Sequence, residues 1–155
     1  MQIHYLADYP QFIPLLAEWQ HTAFGHFNPN TSLEQRTTKI RQSAGRTAMP
    51  ITLVAVSGAD LLGSASLVAQ DMSTHPELSP WLASVYVYPD YRRQGIGSKL
   101  VGRIEMEAAR LGLSRLYLYT PDKQAFYQRL DWSVVASEAY RNYTVAIMEK
   151  ALAVA

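Results

Sequence analysis

Two glycines set close together after a strand-like run are the residues of this chain most suited to chemistry. The segment reads Val85-Tyr86-Val87-Tyr88-Pro89-Asp90-Tyr91-Arg92-Arg93-Gln94-Gly95-Ile96-Gly97-Ser98. A strand ends, a short turn follows, and a helix opens at the glycines. Free backbone N–H groups at a helix start attract anions. Glycine lets a phosphate approach the backbone with no Cβ in the way. The basic pair Arg92 and Arg93 would complement such a charge. Two familiar phosphate templates fail. The dinucleotide fingerprint G-x-G-x-x-G has Leu100 at its third glycine, and Lys99 follows Ser98 with no Gly-Lys-Ser/Thr run, which excludes a P-loop. What remains is Arg92-x-x-Gly95-x-Gly97 after a V-x-V-x-P strand end.

Other chemistries are narrowed by what the chain lacks. It has no cysteine, so disulfides, thiolate metal sites and a cysteinyl nucleophile are excluded. There is no Gly-x-Ser-x-Gly elbow. His21 and His26 stand five apart, which is not the helical spacing of paired ligands, and we expect no metal.

The elements that must position the glycine turn follow from pattern. Gln2 to Leu6 alternates as a strand. Asp8 is placed to cap a helix that has Pro10 in its first turn and Phe12, Leu15, Leu16 and Trp19 on one face. Gly25 to Thr31 reads as a loop, and Ser32 with Gln35 forms a capping box for a helix to about Ser43. Ile51 to Val56 and Leu61 to Ala69 flank a Gly-containing turn as a hairpin. Asp71 to Pro80 is a loop, and Leu82 to Tyr88 is a strand stopped by Pro89. Gly95 to Leu111 is a helix with Leu100, Val101, Ile104, Ala108 and Leu111 on one face, closed by Gly112. Ser114 to Tyr119 is a strand, Asp122 caps a short helix through Leu130, and strands near Trp132 to Ser137 and Asn142 to Met148 end the chain. The order is β-α-α-β-β-β-α-β-α-β-β. The class is α/β, with a mixed, mostly antiparallel sheet and flanking helices. The strand-helix-strand from Val85 to Tyr119 should be a right-handed parallel crossover, and the rest reads as antiparallel. We read residues 1–155 as a single domain.

The strand-turn-helix segment resembles the GNAT superfamily of acyl-CoA-dependent N-acetyltransferases. The likeness extends to Ala125-Phe126-Tyr127-Gln128-Arg129-Leu130-Asp131-Trp132. It implies that acetyl-CoA is the co-substrate. Its pyrophosphate would lie on Arg92, Arg93, Gln94, Gly95, Ile96, Gly97 and Ser98, and its pantetheine arm along Val85, Tyr86 and Val87. Tyr127 matches the position that protonates the departing thiolate. Thr120 stands where an asparagine is common and is the remaining candidate contact to the arm. Asp131-Trp132 replaces the family's Gly-Phe. Asp tolerates a left-handed turn at some cost, and Trp132 keeps the aromatic packing.

The implied activity is N-acetyl transfer to a primary amine by direct attack in a ternary complex. The competing reading is a non-catalytic acyl-CoA-binding or regulatory module. A proton acceptor is not evident, because the strand Leu82-Ala83-Ser84-Val85-Tyr86-Val87 carries no acid. Asp71, His75 and Glu77, in the preceding loop, are candidates beside a water chain. The acceptor, a small molecule or a peptide, would meet the first two helices near Trp19, His21, Phe24, His26 and Phe27. The 14 basic and 13 acidic residues give a net charge of +1, against nucleic-acid binding. No apolar run approaches the roughly 18 residues of a membrane helix, and no signal peptide is evident, so a cytoplasmic location is expected. A homodimer is compatible with this reading.

Overall fold

The computed structural model describes residues 1–153. The strands are β1 (Gln2–Tyr5), β2 (Ile51–Ser57), β3 (Asp60–Val68), β4 (Trp81–Val87), β5 (Arg115–Thr120), β6 (Ser133–Tyr140) and β7 (Tyr143–Ala151). The helices are α1 (Ile13–Phe24), α2 (Leu33–Gln42), α3 (Ile96–Arg110) and α4 (Gln124–Gln128). The order along the chain is the one expected. All seven strands form one sheet in the order β1-β2-β3-β4-β5-β7-β6. Every neighbouring pair is antiparallel except β4 and β5.

That parallel pair barely touches. Trp81 faces Tyr117, and the Tyr117 N–H donates to the Pro80 carbonyl at 3.0 Å; beyond this point no ladder joins the two strands. Each strand instead stays bound to its outer neighbour. β4 follows β3 as far as Gly63↔Val87, and β5 follows β7 as far as Thr120↔Ala146. The sheet is therefore parted between its two parallel strands. A bulge bends β4 at the parting. Ser64 pairs with Tyr86 and Ser66 with Ala83, so Ser84 and Val85 together oppose Ala65. Ser84 takes φ +55, in the left-handed region. Gly63 lets the bent strand lie close, since a Cβ there would stand 2.5 Å from the Tyr86 carbonyl oxygen.

One face of the sheet is covered by α3. Leu100, Val101, Ile104 and Ala108 are buried against Leu53, Leu82, Leu116 and Leu118. Leu111 is half-buried, and Gly112 ends the helix at φ +82. On the other face α1 and α2 bury Leu16, Ala17 and Ile40 on Val54 and Val56. A third cluster gathers Met72, Trp81, Tyr140, Val145 and Ile147.

Three local expectations are corrected. Asp8 caps no helix. It lies in a 3-10 turn and pairs with Arg46, and after a second turn α1 begins at Ile13, with Pro14 tolerated in its first turn. That later start rotates the buried face to Ile13, Leu16, Ala17 and Gln20, leaving Leu15 exposed. Asp122 does not cap α4 either. The turn there is held by Thr120, whose Oγ1 accepts from the Lys123 N–H at 3.0 Å, and the helix runs only over Gln124–Gln128. The last two strands are longer than expected and are joined by Arg141 and Asn142, at φ +50 and +69. Two positive φ values in a two-residue loop suit the twist of a hairpin. The capping box at Ser32 forms in both directions, at 3.0 and 2.8 Å. Asp131 adopts φ +71, so the aspartate does take the left-handed turn.

Candidate active site

At the start of α3 the chain turns twice through the left-handed region, at Arg93 (φ +65) and Gly95 (φ +79). The first helical bond runs from the Lys99 N–H to the Gly95 carbonyl, at 3.1 Å. Among the described residues, the N–H groups of Arg93, Gln94, Gly95, Ile96, Gly97 and Ser98 find no protein acceptor. No side chain caps the helix. Six consecutive free donors at a helix start are suited to an anion. The side chains divide their roles. Ile96 is buried in the core and offers only its backbone, while Arg93 and Gln94 are exposed. Arg92 folds back. Its Nε donates to the Val87 carbonyl at 2.8 Å, and its guanidinium lies 5.6 Å from the centre of the Tyr86 ring.

The turn sits at the mouth of the parting. A Cβ placed on Gly97 would lie 3.5 Å from Phe126 and 3.8 Å from Val87, so β4, α3 and α4 converge there. Val85 and Val87 pack toward α3, whereas Tyr86 lies on the opposite face beside Trp19 and Phe24. The Tyr88 N–H donates to Leu62 of β3 at 2.9 Å. Alternation along an antiparallel strand then turns the N–H and carbonyl of Val87 to the free edge. The Arg92 bond to the Val87 carbonyl agrees. Thr120 stands on β5 across the parting, buried, with its hydroxyl oxygen engaged by Lys123.

Tyr127 is buried on α4, with its ring edge-on to Phe126 at 5.0 Å and to Trp132 at 6.1 Å. Its hydroxyl makes no hydrogen bond among the described residues, yet it is not sealed from solvent. Burial, with Asp122 adding, pushes its pKa up to about 12, so the phenol stays protonated.

The three acidic or imidazole candidates of the loop before β4 separate clearly. His75 is clamped, with Nδ1 2.8 Å from Glu77 and Nε2 2.7 Å from Glu138. Those hydrogen bonds raise the His75 pKa and lower that of Glu77. Asp71 is different. It is half-buried, and burial pushes its pKa up to about 6, against the opposing pull of Lys39 and Arg141. Its charge in turn helps raise the Tyr119 pKa, second to burial. Tyr119 stacks edge-on with Trp81 at 6.3 Å and with Tyr140 at 5.3 Å. Asp71 therefore borders an aromatic floor on the face opposite α3. The aromatic residues after α1 close one end of this side. Phe27 and His26 meet Tyr143 at 4.6 and 5.5 Å. Trp19 stacks on Tyr88 at 4.8 Å. His21 keeps a buried Nδ1 without a partner.

Sequence reasoning missed Lys39, Tyr119, Tyr140 and Arg141 on this side. Nothing in the sequence marks them, because charges on an exposed-looking helix and tyrosines in strands are ordinary. No group of three or more His, Cys, Asp or Glu suited to a metal occurs among the described residues.

A seven-stranded mixed, mostly antiparallel sheet with flanking helices matches the fold of GNAT acetyltransferases. Residues 13–132, most of the chain, match the acetyltransferase (GNAT) family; the chain belongs to that family and is an acetyltransferase. Solved structures agree on the fold. An aminoglycoside 6'-N-acetyltransferase complexed with coenzyme A shares 18% identity at TM-score 0.75, covering 97% of each chain. A ribosomal-protein-alanine N-acetyltransferase from Brucella melitensis shares 19% at TM-score 0.73, covering 98% of this chain and 100% of that one. The protein yncA of Salmonella typhimurium, solved with its cofactor acetyl-CoA, shares 20% at TM-score 0.69, covering 99% of this chain and 94% of that one. No curated protein sequence matches significantly. No helix among the described residues is long and apolar enough to cross a membrane.

Proposed function

We propose that the chain moves an acetyl group from acetyl-CoA to a primary amine by direct attack in a ternary complex, with residues 1–155 acting as one domain. The observation that carries this reading is the row of six free N–H groups from Arg93 to Ser98. They suit a pyrophosphate, with Arg92 and Arg93 adding positive charge. The unpaired edge of Val85, Tyr86 and Val87 suits an amide-bearing arm, which pairs with strand backbone as another strand would. Thr120 lines the far side of the same parting. Acetyl-CoA supplies a thioester, whose acyl carbon accepts the amine.

The chain's own groups then handle charge and protons. A free N–H on the strand edge between Val85 and Val87 polarises the acyl oxygen. Asp71 accepts the proton lost by the amine as the C–N bond forms, directly or through water. Tyr127 gives its proton to the sulfur as the C–S bond breaks. With no cysteine in the chain, no cysteinyl acyl-enzyme intervenes. The fold relatives named above act, by name, on an aminoglycoside and on a ribosomal-protein alanine, which supports an amine acceptor without choosing between small molecule and protein.

Titration calorimetry with acetyl-CoA tests the binding site. Gly97 has room for a Cβ, so Gly97→Asp should fold. The added carboxylate competes for the same N–H groups and repels phosphate, so affinity should fall about tenfold or more. Parental affinity in a folded variant would place acetyl-CoA elsewhere.

A further inference from the structure

We propose that Arg92 makes the cofactor site selective for thioesters that also carry phosphate: without phosphate its guanidinium occupies the strand edge that suits the amide-bearing arm, and a pyrophosphate draws it away. This rests on the acetyl-CoA reading, with the pyrophosphate at the glycine turn and the arm along β4.

The Val87 carbonyl faces the free edge of β4, yet it already has a donor. The Arg92 Nε donates to it at 2.8 Å. The guanidinium carbon lies 5.6 Å from the centre of the Tyr86 ring. Together these contacts lay the guanidinium across the edge at the level of Tyr86 and Val87. An arm that pairs with the strand runs along that same edge, and one of its N–H groups needs the same carbonyl oxygen. The carbonyl has a second lone pair, but the guanidinium beside it takes up the place where the arm would lie.

What holds Arg92 there is easily exchanged. The side chain is exposed, and it joins no ion pair among the described residues. Its partners are a neutral carbonyl and one ring. Arg46, Arg110 and Arg115 each meet a carboxylate instead, Asp8, Glu107 and Glu149. A phosphate oxygen, being charged, is a stronger partner for a guanidinium than a carbonyl is. Arg92 directly precedes the free N–H groups of Arg93 to Ser98, so its backbone stands between the strand edge and the anion site. Its own N–H, bonded to the Pro89 carbonyl at 3.3 Å, ties it into that turn.

A ligand shifts such an equilibrium by as much as it prefers one state. Phosphate prefers the state with Arg92 off Val87. The arm prefers the same state, because it takes the released oxygen. The two ends of one cofactor therefore help each other, whereas a thioester with the arm alone must displace Arg92 unaided.

The test uses the full chain and two fragments, S-acetylpantetheine and inorganic pyrophosphate, titrated singly and together and followed by amide NMR shifts. S-acetylpantetheine is uncharged, so no direct charge effect links the two, and sodium chloride at equal ionic strength is the control. In the parent, saturating pyrophosphate should tighten S-acetylpantetheine binding about fivefold or more. Arg92→Met removes the guanidinium from an exposed side chain, and a melting curve checks that the variant folds. Without pyrophosphate it should bind S-acetylpantetheine about fivefold tighter than the parent does, and pyrophosphate should then add nothing. A smaller coupling in the parent overturns the proposal with no variant needed. A folded Arg92→Met that binds S-acetylpantetheine no tighter than the parent overturns it too. Either result leaves the cofactor site standing if acetyl-CoA binds and Gly97→Asp weakens it. Absence of acetyl-CoA binding removes the reading beneath as well.

Discussion

Replacing Asp71 by Asn should make the protein slower and more stable at neutral pH. The carboxyl is half-buried and its pKa is pushed up to about 6, where an unfolded aspartate titrates near 4. As a base it works only when ionised. It is about nine-tenths ionised at pH 7 and about one-tenth at pH 5. Parental kcat/KM should therefore drop about tenfold between these values, with an inflection near pH 6. Asp71→Asn should lower kcat/KM at pH 7 by about 10²–10⁴-fold and erase the inflection.

The stability effect has the opposite sense. A folded pKa above the unfolded one means that Asp71 favours the fold below about pH 4, and that this contribution is lost as pH rises through about 6. Two units correspond to roughly 3 kcal/mol at most. Partial contact with water reduces this to about 1 kcal/mol. Asp71→Asn should thus raise Tm by about 2–4 °C at pH 8 and by nothing at pH 4. Stopped thiol-release assays across pH, with melting curves in the same buffers, measure both. An Asn variant with the parental pH profile would refute the proton-transfer role. One that melts lower than the parent at pH 8 would show that the carboxylate is held by favourable contacts, contrary to the burial argument.

Two further changes test other parts of the site. Tyr127→Phe removes one oxygen from a ring packed between Phe126 and Trp132; kcat should fall about 10²-fold with acetyl-CoA affinity unchanged, and a parental kcat under rate-limiting chemistry would leave Tyr127 as packing alone. The His75 clamp should make the loop that carries Asp71 sensitive to pH. Glu77 and Glu138 raise the His75 pKa, so its stabilisation is complete below about pH 6.5 and lost as pH rises through the raised value; the Tm gap between the parent and His75→Gln should narrow from pH 6 to pH 9, and a constant gap would mean that the clamp acts without charge.

Much of the fold, and the glycine-turn half of the candidate site, could be read from the sequence, and the division has a physical cause. The α3 face from Leu100 to Ala108 repeats with helical period, so pattern alone places it in the core. The glycine turn is local chemistry and reads locally. Leu15 and Asp122 misled because each looks right in isolation. The true phase of α1 is set by two 3-10 turns, and the turn before α4 is held by Thr120 on β5. Asp71 could be named only as one of three loop candidates, and Lys39 and Arg141 carry no local signature at all. Their importance lies in burial and in which charges face one another across distant segments, and a sequence does not list such pairs.

The two halves of the site are joined by topology rather than by any single contact. Two parallel strands need a crossover, and here the crossover is α3, which must begin just beyond the end of β4. Its free N–H groups are therefore at the carboxyl end of that strand, where open sheets of this kind take their ligands. The bulge at Ser84 bends β4 away from β5 at the same level, so the strand edge is exposed beside the helix start. Such an arrangement suits a molecule with an anionic end and an amide-bearing arm, offering it backbone groups with little demand on side chains. The opposite face, where Asp71, Lys39 and Arg141 meet, is built from side chains on α2, the loop before β4 and the last hairpin. Those segments can change without disturbing the parted sheet. On the proposed reading, cofactor choice follows from the fold, and acceptor choice is left to side chains such as Asp71, Lys39 and Arg141.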